Sequence, residues 1–212
     1  MQHPLRQALL SAATFPLSLL DRRGFLTQMG WYRTVRRRAC VDAEGNAIPW
    51  WSYSFLLFLR ERLRPSLTVY EYGSGNSTLW LASRVRSIRT VETNQAWYER
   101  LRSRLPDNVE MQFIQYERNG EYCRAIQSFH EAFDIVIIDG FDRVRCAKNC
   151  LDALTPAGVV VFDDSHQEHL REGREFLASK GFRRLDFYGF APQDDDNHCT
   201  SVFYRDGNCL GI

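Results

Sequence analysis

Residues 67–78, Leu-Thr-Val-Tyr-Glu-Tyr-Gly-Ser-Gly-Asn-Ser-Thr, constrain this chain more than any other stretch. An apolar, β-branched run ends in Glu71, passes through a turn with Gly73 and Gly75, and opens into Thr78-Leu79-Trp80-Leu81-Ala82, a helix-like segment. This is the strand–turn–helix of an α/β sheet, in which glycines let backbone N–H groups approach a ligand closely. Asn76, Ser77 and Thr78 suit the helix start, where side chains of this type cap free N–H groups and donate to a carboxylate.

Downstream the pattern repeats. Strands are predicted over 67–72, 88–92, 109–115, 133–139 and 159–163, with helices near 77–86, 95–105, 119–128, 143–154 and 166–179. Phe133 to Asp139 is apolar throughout its interior, as a central parallel strand covered on both faces must be. Two last strands, 182–188 and 199–205, are joined by a loop too short for a crossover helix and should pair antiparallel. Five βα units and a terminal hairpin predict a doubly wound, Rossmann-like sheet with one reversed strand.

Residues 1–65 read as an N-terminal helical extension ahead of a main domain over 66–212. They are broken at Gly24, Gly30, Gly45 and Pro49 and rich in aromatic residues such as Trp31, Trp50, Trp51 and Phe55. Such a segment can roof a pocket, although core packing accounts for most of these rings. Ala8 to Leu20 is apolar but short and contains Pro16, which favours a packing segment over a signal peptide or membrane span. A net charge of +1 supplies no field for nucleic acid or anionic lipid, and Arg36-Arg37-Arg38 reads as a solvated helix end. Six cysteines without a CxxC pair imply reduced thiols and a cytoplasmic location, with Cys146 and Cys150 on a buried stripe.

In such sheets ligands bind beyond the carboxyl ends of the strands, and every candidate residue falls at one. Glu71, Gly73 and Gly75 form the first loop, where the glycines let backbone touch the amino-acid and ribose portions of a ligand and Glu71 is expected near its ammonium. Glu92 ends the second strand, where a carboxylate accepts from ribose hydroxyls; Gln115 and Tyr116 end the third, near an adenine amine. Asp139 ends the fourth strand, and Asp163-Asp164 end the fifth. Three converging carboxylates need a counter-charge, which a Mg²⁺ or Ca²⁺ ion would provide. The alternative is one Asp on ligand, another capping a helix, and no metal. His166 is a candidate general base, and His169 shares its face on the predicted helix. Asp194-Asp195-Asp196 reads as a solvated acidic tip, with His198 and Cys199-Thr200-Ser201 close enough to line an acceptor pocket.

The ordered set Glu71-Tyr72-Gly73-Ser74-Gly75, Glu92, Phe133 to Gly140 and Gly158 to Ser165 resembles the successive motifs of class I S-adenosylmethionine (SAM)-dependent methyltransferases. The resemblance spans 66–205 and implies a seven-stranded sheet in the order 3-2-1-4-5-7-6. It also implies SAM as cofactor. Asp139 with Asp163-Asp164 resembles the metal-ligand pattern of cation-dependent O-methyltransferases, but the family's Asn stands as Asp164 here and no lysine follows the fourth strand, where Gly140-Phe141-Asp142-Arg143 is found. Val41 to Trp50 and Asn208 to Ile212 resemble a bacterial methyltransferase-like group.

The resulting expectation is an O-methyltransferase acting on a small molecule or sugar, with no nucleic-acid or membrane partner and possible homo-oligomerisation. A nicotinamide-dependent oxidoreductase is the rival on the same sheet; it would want a third small residue where Thr78 stands. A non-catalytic scaffold would show a wide exposed patch at Trp31, Trp50 and Trp51. Aminopropyl transfer would want an acidic site for a polyamine.

Overall fold

The computed structural model describes residues 21, 23–194 and 196–212. The apolar stretch Ala8 to Leu20 and Asp195 lie outside them. Among the described residues three short helices come first: α1 (Phe25–Gln28), α2 (Trp31–Arg37) and α3 (Tyr53–Arg60). Then follow β1 (Thr68–Tyr72), α4 (Asn76–Ala82), β2 (Ser87–Glu92), α5 (Gln95–Arg102), β3 (Val109–Phe113), α6 (Glu121–Arg124), β4 (Phe133–Ile138), α7 (Arg143–Asn149), β5 (Leu154–Phe162), α8 (Arg171–Ser179), β6 (Arg183–Gly189) and β7 (His198–Tyr204).

The seven strands form one sheet in the order β3-β2-β1-β4-β5-β7-β6. β7 alone runs antiparallel, pairing Phe162 with Ser201 on β5 and Asp186 with Ser201 on β6. The reversal of strand order between β1 and β4 opens the crevice at their carboxyl ends, where Tyr72 is in register with Ile138.

Strand side chains alternate between two cores, as a period of two requires. Val69, Ile135, Ile137, Val159 and Val161 face one; Tyr70, Tyr72, Val136, Ile138, Val160 and Phe162 face the other. Trp51, Phe55 and Leu59 from the N-terminal segment are fully buried in the first core beside Leu81 and Ile88. Part of the expected extension thus supplies a layer of the sheet's own packing. Cys146 and Cys150 are buried in the second core, and all six cysteines are free thiols. Among the described residues no helix is long and apolar enough to cross a membrane.

The five expected helices are all shorter than their patterns suggest, and two of them differ for a visible reason. The 143–154 helix ends at Asn149, and β5 begins at Leu154 with Pro156 inside it, because Phe133 pairs with Leu154 before the register shifts to Ile135 and Val159. The 166–179 helix begins only at Arg171. Asp164 adopts a left-handed φ of 54°, Ser165 N–H donates to Cys199 O, and residues 168–170 form a 3-10 turn. His166 and His169 therefore do not share a helix face.

Candidate functional site

The ends of β1, β2 and β4 enclose a hollow of about 180 Å³, walled by Gly73, Ser74, Ser77, Glu92, Thr93, Tyr122 and Asp139 to Phe141. Close backbone approach makes it. Gly73 has φ +87°, and a Cβ there would meet Gly140 Cα at 3.1 Å; a Cβ on Gly140 would meet the Tyr122 hydroxyl at 2.0 Å. Gly75 differs from the expectation: its φ of 172° is open to any residue, and a Cβ would touch only Trp97 at 3.8 Å. Gly140 is the second glycine that the cradle requires.

Glu92 faces this hollow. One carboxylate oxygen accepts from Ser74 N–H (3.1 Å) and Ser74 Oγ (2.8 Å), the other from Thr93 N–H (2.8 Å) and Asn94 N–H (2.7 Å). These bonds fix the carboxylate at the mouth of the first loop. Glu71 does not line the hollow. It is fully buried one step behind, accepting from Ser77 Oγ and Thr78 Oγ1 at 2.5 Å each. Burial pushes its pKa up to about 7 against the pull of the two hydroxyls, and Glu92 adds to the rise. The carboxylate that Ser77 and Thr78 serve is thus Glu71 itself, and Ser77 carries that link to the hollow's wall. Thr78 also accepts from Gly75 N–H (2.9 Å), occupying the place of a third glycine with a buried bridge. Asn76 turns away and donates to Cys40 O at 3.0 Å.

The three carboxylates at the ends of β4 and β5 do converge, and a guanidinium sits among them. Arg143, at the start of α7, lies 3.2 Å from Asp139, 3.9 Å from Asp163 and 3.0 Å from Asp164. It also donates to Gly140 O and Asp163 O. The other Asp139 oxygen accepts from Trp51 Nε1 at 3.0 Å. Burial and the charge of Asp163 raise the Asp139 pKa well above the usual carboxylate range, with Arg143 and Trp51 opposing. Asp163 is held by His198 Nε2 (2.9 Å) and Thr200 Oγ1 (2.6 Å). Burial disfavours the charged form of His198, but Asp163, Asp164 and Asp194 outweigh it and push the pKa up to about 9.

The remaining expected residues are more scattered. His166 is exposed on the turn after β5, its ring 6.2 Å from that of His198. Gln115 and Tyr116 lie exposed beyond the end of β3, with Tyr116 packed on Phe141 at 5.1 Å. Asp194 is not a solvated tip: it accepts from Trp50 Nε1 (2.8 Å) and, through its backbone, from Trp31 Nε1 (3.1 Å). Cys199 and Ser201 are buried and bonded to Ser165. Sequence reasoning did not single out Arg143, Tyr122 or Phe141 as site residues. Only Arg143, four residues after Asp139, carried a readable signal.

A second cleft, of about 520 Å³, adjoins the hollow and shares Gly140 and Phe141 with it. His169 lines it together with Arg118, Arg143, Arg145 and Lys148, and the carboxylates of Asp142, Asp164 and Glu172 line it too.

Residues 70–165 match the family model described as a methyltransferase domain. Among solved structures, precorrin-6y C5,15-methyltransferase from Geobacter metallireducens GS-15 superposes with a TM-score of 0.57 at 14% identity, covering 72% of this chain and 87% of that one. A methyltransferase from Pyrococcus furiosus gives 0.51 at 18% identity over 75% and 82%. Spermidine synthase from Thermotoga maritima gives 0.52 at 19% identity over 68% of this chain and only 55% of its own. A sequence comparison with curated proteins finds no match. The fold is the Rossmann-like sheet of the methyltransferases. The family-model match covers residues 70–165, and the structural likeness extends the resemblance to the fold of the whole sheet.

Proposed function

We propose that the protein transfers the methyl group of SAM to an oxygen nucleophile on a small molecule or sugar. The observation that carries this reading is the hollow beside Glu92 at the β1/β4 switch point, where Gly73 and Gly140 pack backbone to backbone and leave no room for a Cβ between them and Tyr122. The roughly four acceptor directions of the Glu92 carboxylate are taken by Ser74, Thr93 and Asn94, so ribose hydroxyls would bind it by replacing the Ser74 Oγ bond and sharing the others. The Tyr122 hydroxyl, buried at the wall, has no acceptor for its proton and supplies a further donor.

When bound, SAM supplies an electrophilic methyl on a sulfonium, so the protein has to align the acceptor and remove a proton. Asp139 lines the hollow, is oriented through both oxygens by Arg143 and Trp51, and has its proton affinity raised by burial and Asp163. It takes the acceptor's hydroxyl proton as the oxygen–carbon bond forms and the carbon–sulfur bond breaks. His166 is the second candidate base; Asp139→Asn and His166→Ala, compared for turnover, separate the two.

The residues do not suit a divalent cation at Asp139 and Asp163-Asp164, because Arg143 already contacts all three carboxylates and would repel it. Ligand atoms of Asp163, Asp164 and His198 do lie within 4.8 Å of one another, but His198 favours its protonated form there. The proposed reaction therefore runs on Arg143 as counter-charge.

The rivals fare less well. Thr78 fills the third-glycine position with a buried bridge, against a dinucleotide site. Trp51 is buried and Trp50 is tied to Asp194, so the two do not make a wide bare patch. Polyamine transfer would want an acidic cleft, and the three carboxylates of this one, Asp142, Asp164 and Glu172, are each paired with one of its basic side chains. A thermal-shift panel of SAM, S-adenosylhomocysteine (SAH) and NADH tests the reading. SAM and SAH should raise the melting temperature and NADH should not; a shift with NADH alone would reverse the assignment.

A further inference from the structure

We infer that the acceptor carries an anionic group, a phosphate or carboxylate, which docks in the cleft against Arg118, Arg145 and Lys148. This rests on the proposed methyltransferase reading and assigns the substrate class of that site. The cleft is built by three segments that leave strand ends: the loop after β3 with Arg118, the β4–α7 junction with Arg143 and Arg145, and the β5–α8 junction with Gln167 and His169. Its volume of about 520 Å³ is that of a small-molecule site, and it meets the cofactor hollow along Gly140 and Phe141. An acceptor lying in it presents one end to the hollow and the other to the basic wall. Phe141, 57% exposed at the shared rim, offers an apolar face to the part in between.

The state of the charges sharpens the case. Arg143 is committed to its three carboxylates. Arg118 has no hydrogen-bond or ion-pair partner among the described residues. Arg145 is held by Asp142, whose side chain is buried, whereas Lys148 and Glu172 form an exposed pair of the kind that contributes little and exchanges readily. An incoming oxyanion finds the Arg118 guanidinium and the Lys148 ammonium, the latter released at small cost, with Arg145 adding its charge from its place beside Asp142, and charge-assisted bonds to an oxyanion are the strong ones. A neutral sugar would make no use of this wall.

The test is calorimetry at low salt on the full chain saturated with SAH, using pyrophosphate and citrate as probes. Saturable binding of either is expected, weakened about fivefold or more in Arg118→Glu and in Lys148→Ala but not in the control Arg36→Glu, which lies outside the cleft. The tighter probe tells a phosphate-bearing from a carboxylate-bearing acceptor. Equal weakening by Arg36→Glu, or binding of neither probe, would overturn the inference. Tighter binding of a short single-stranded RNA than of either probe would overturn the small-molecule assignment. SAH affinity is measured first on its own: its absence counts against the cofactor reading, whereas SAH binding without anion binding counts against the cleft alone.

Discussion

Arg143 lies 3.2 Å from Asp139, four residues along the chain, and completes within the protein the charge balance that a metal would otherwise supply. Both residues are largely withdrawn from solvent, so the pair is coupled to whatever binds beside it.

Replacing Arg143 by Ala leaves Asp139, Asp163 and Asp164 facing one another with only His198 as counter-charge. Breaking one side of such a partly buried cluster costs about 3 kcal/mol. Urea denaturation should show that loss at neutral pH, and Mn²⁺ binding followed by electron paramagnetic resonance should appear in the variant but not in the native chain. Tight Mn²⁺ binding by the native protein would contradict the role given to Arg143.

Glu71 makes stability depend on pH. Its folded pKa of about 7 lies above the ordinary 4.5, so the native state binds the extra proton between these values. Stability from this group is greatest below pH 4.5 and falls as pH rises to 7, by on the order of 3 kcal/mol. Glu71→Gln should remove that slope in denaturation series across the window. An unchanged slope would show that the carboxyl is not held as described.

His198 acts in a higher window. Its folded pKa of about 9 exceeds the model-compound 6.5, so its stabilisation is complete below pH 6.5 and lost as pH rises through 9. The imidazole proton resonances should titrate near 9 in the native protein and move toward 6.5 in Asp163→Asn. Titration near 6.5 in the native chain would contradict the Asp163 link.

The two motif glycines should respond differently. Gly75→Ala meets only Trp97 at an ordinary contact distance, whereas Gly140→Ala drives a methyl into the Tyr122 hydroxyl. The first should keep SAH affinity within about twofold, and the second should lose about 1–3 kcal/mol of stability together with SAH binding. Thermal melts and SAH titrations on both variants check this.

The sheet was legible because Val69, Ile135, Val160 and their neighbours are apolar on both faces, which only a covered parallel strand tolerates. That Glu92 ends β2 beside the first loop was legible from its distance beyond the glycines. The role of Glu71 was not, since the spacing to Ser77 and Thr78 does not say that their hydroxyls turn back onto it. His166 and His169 were misplaced on a helix because the 3-10 turn before Arg171 is fixed by Ser165 N–H bonding to Cys199, a contact 34 residues away in sequence. The Trp51–Asp139 bond spans 88 residues and has no local signature.

The central claim is that the hollow at Gly73, Glu92 and Gly140 holds SAM. Calorimetric titration of SAH into the native chain and into Glu92→Ala addresses it directly. One saturable site is predicted in the native protein, weakened about tenfold or more in the variant by loss of the ribose acceptor. No binding by a native chain that still unfolds cooperatively, or equal affinity in Glu92→Ala, would contradict it.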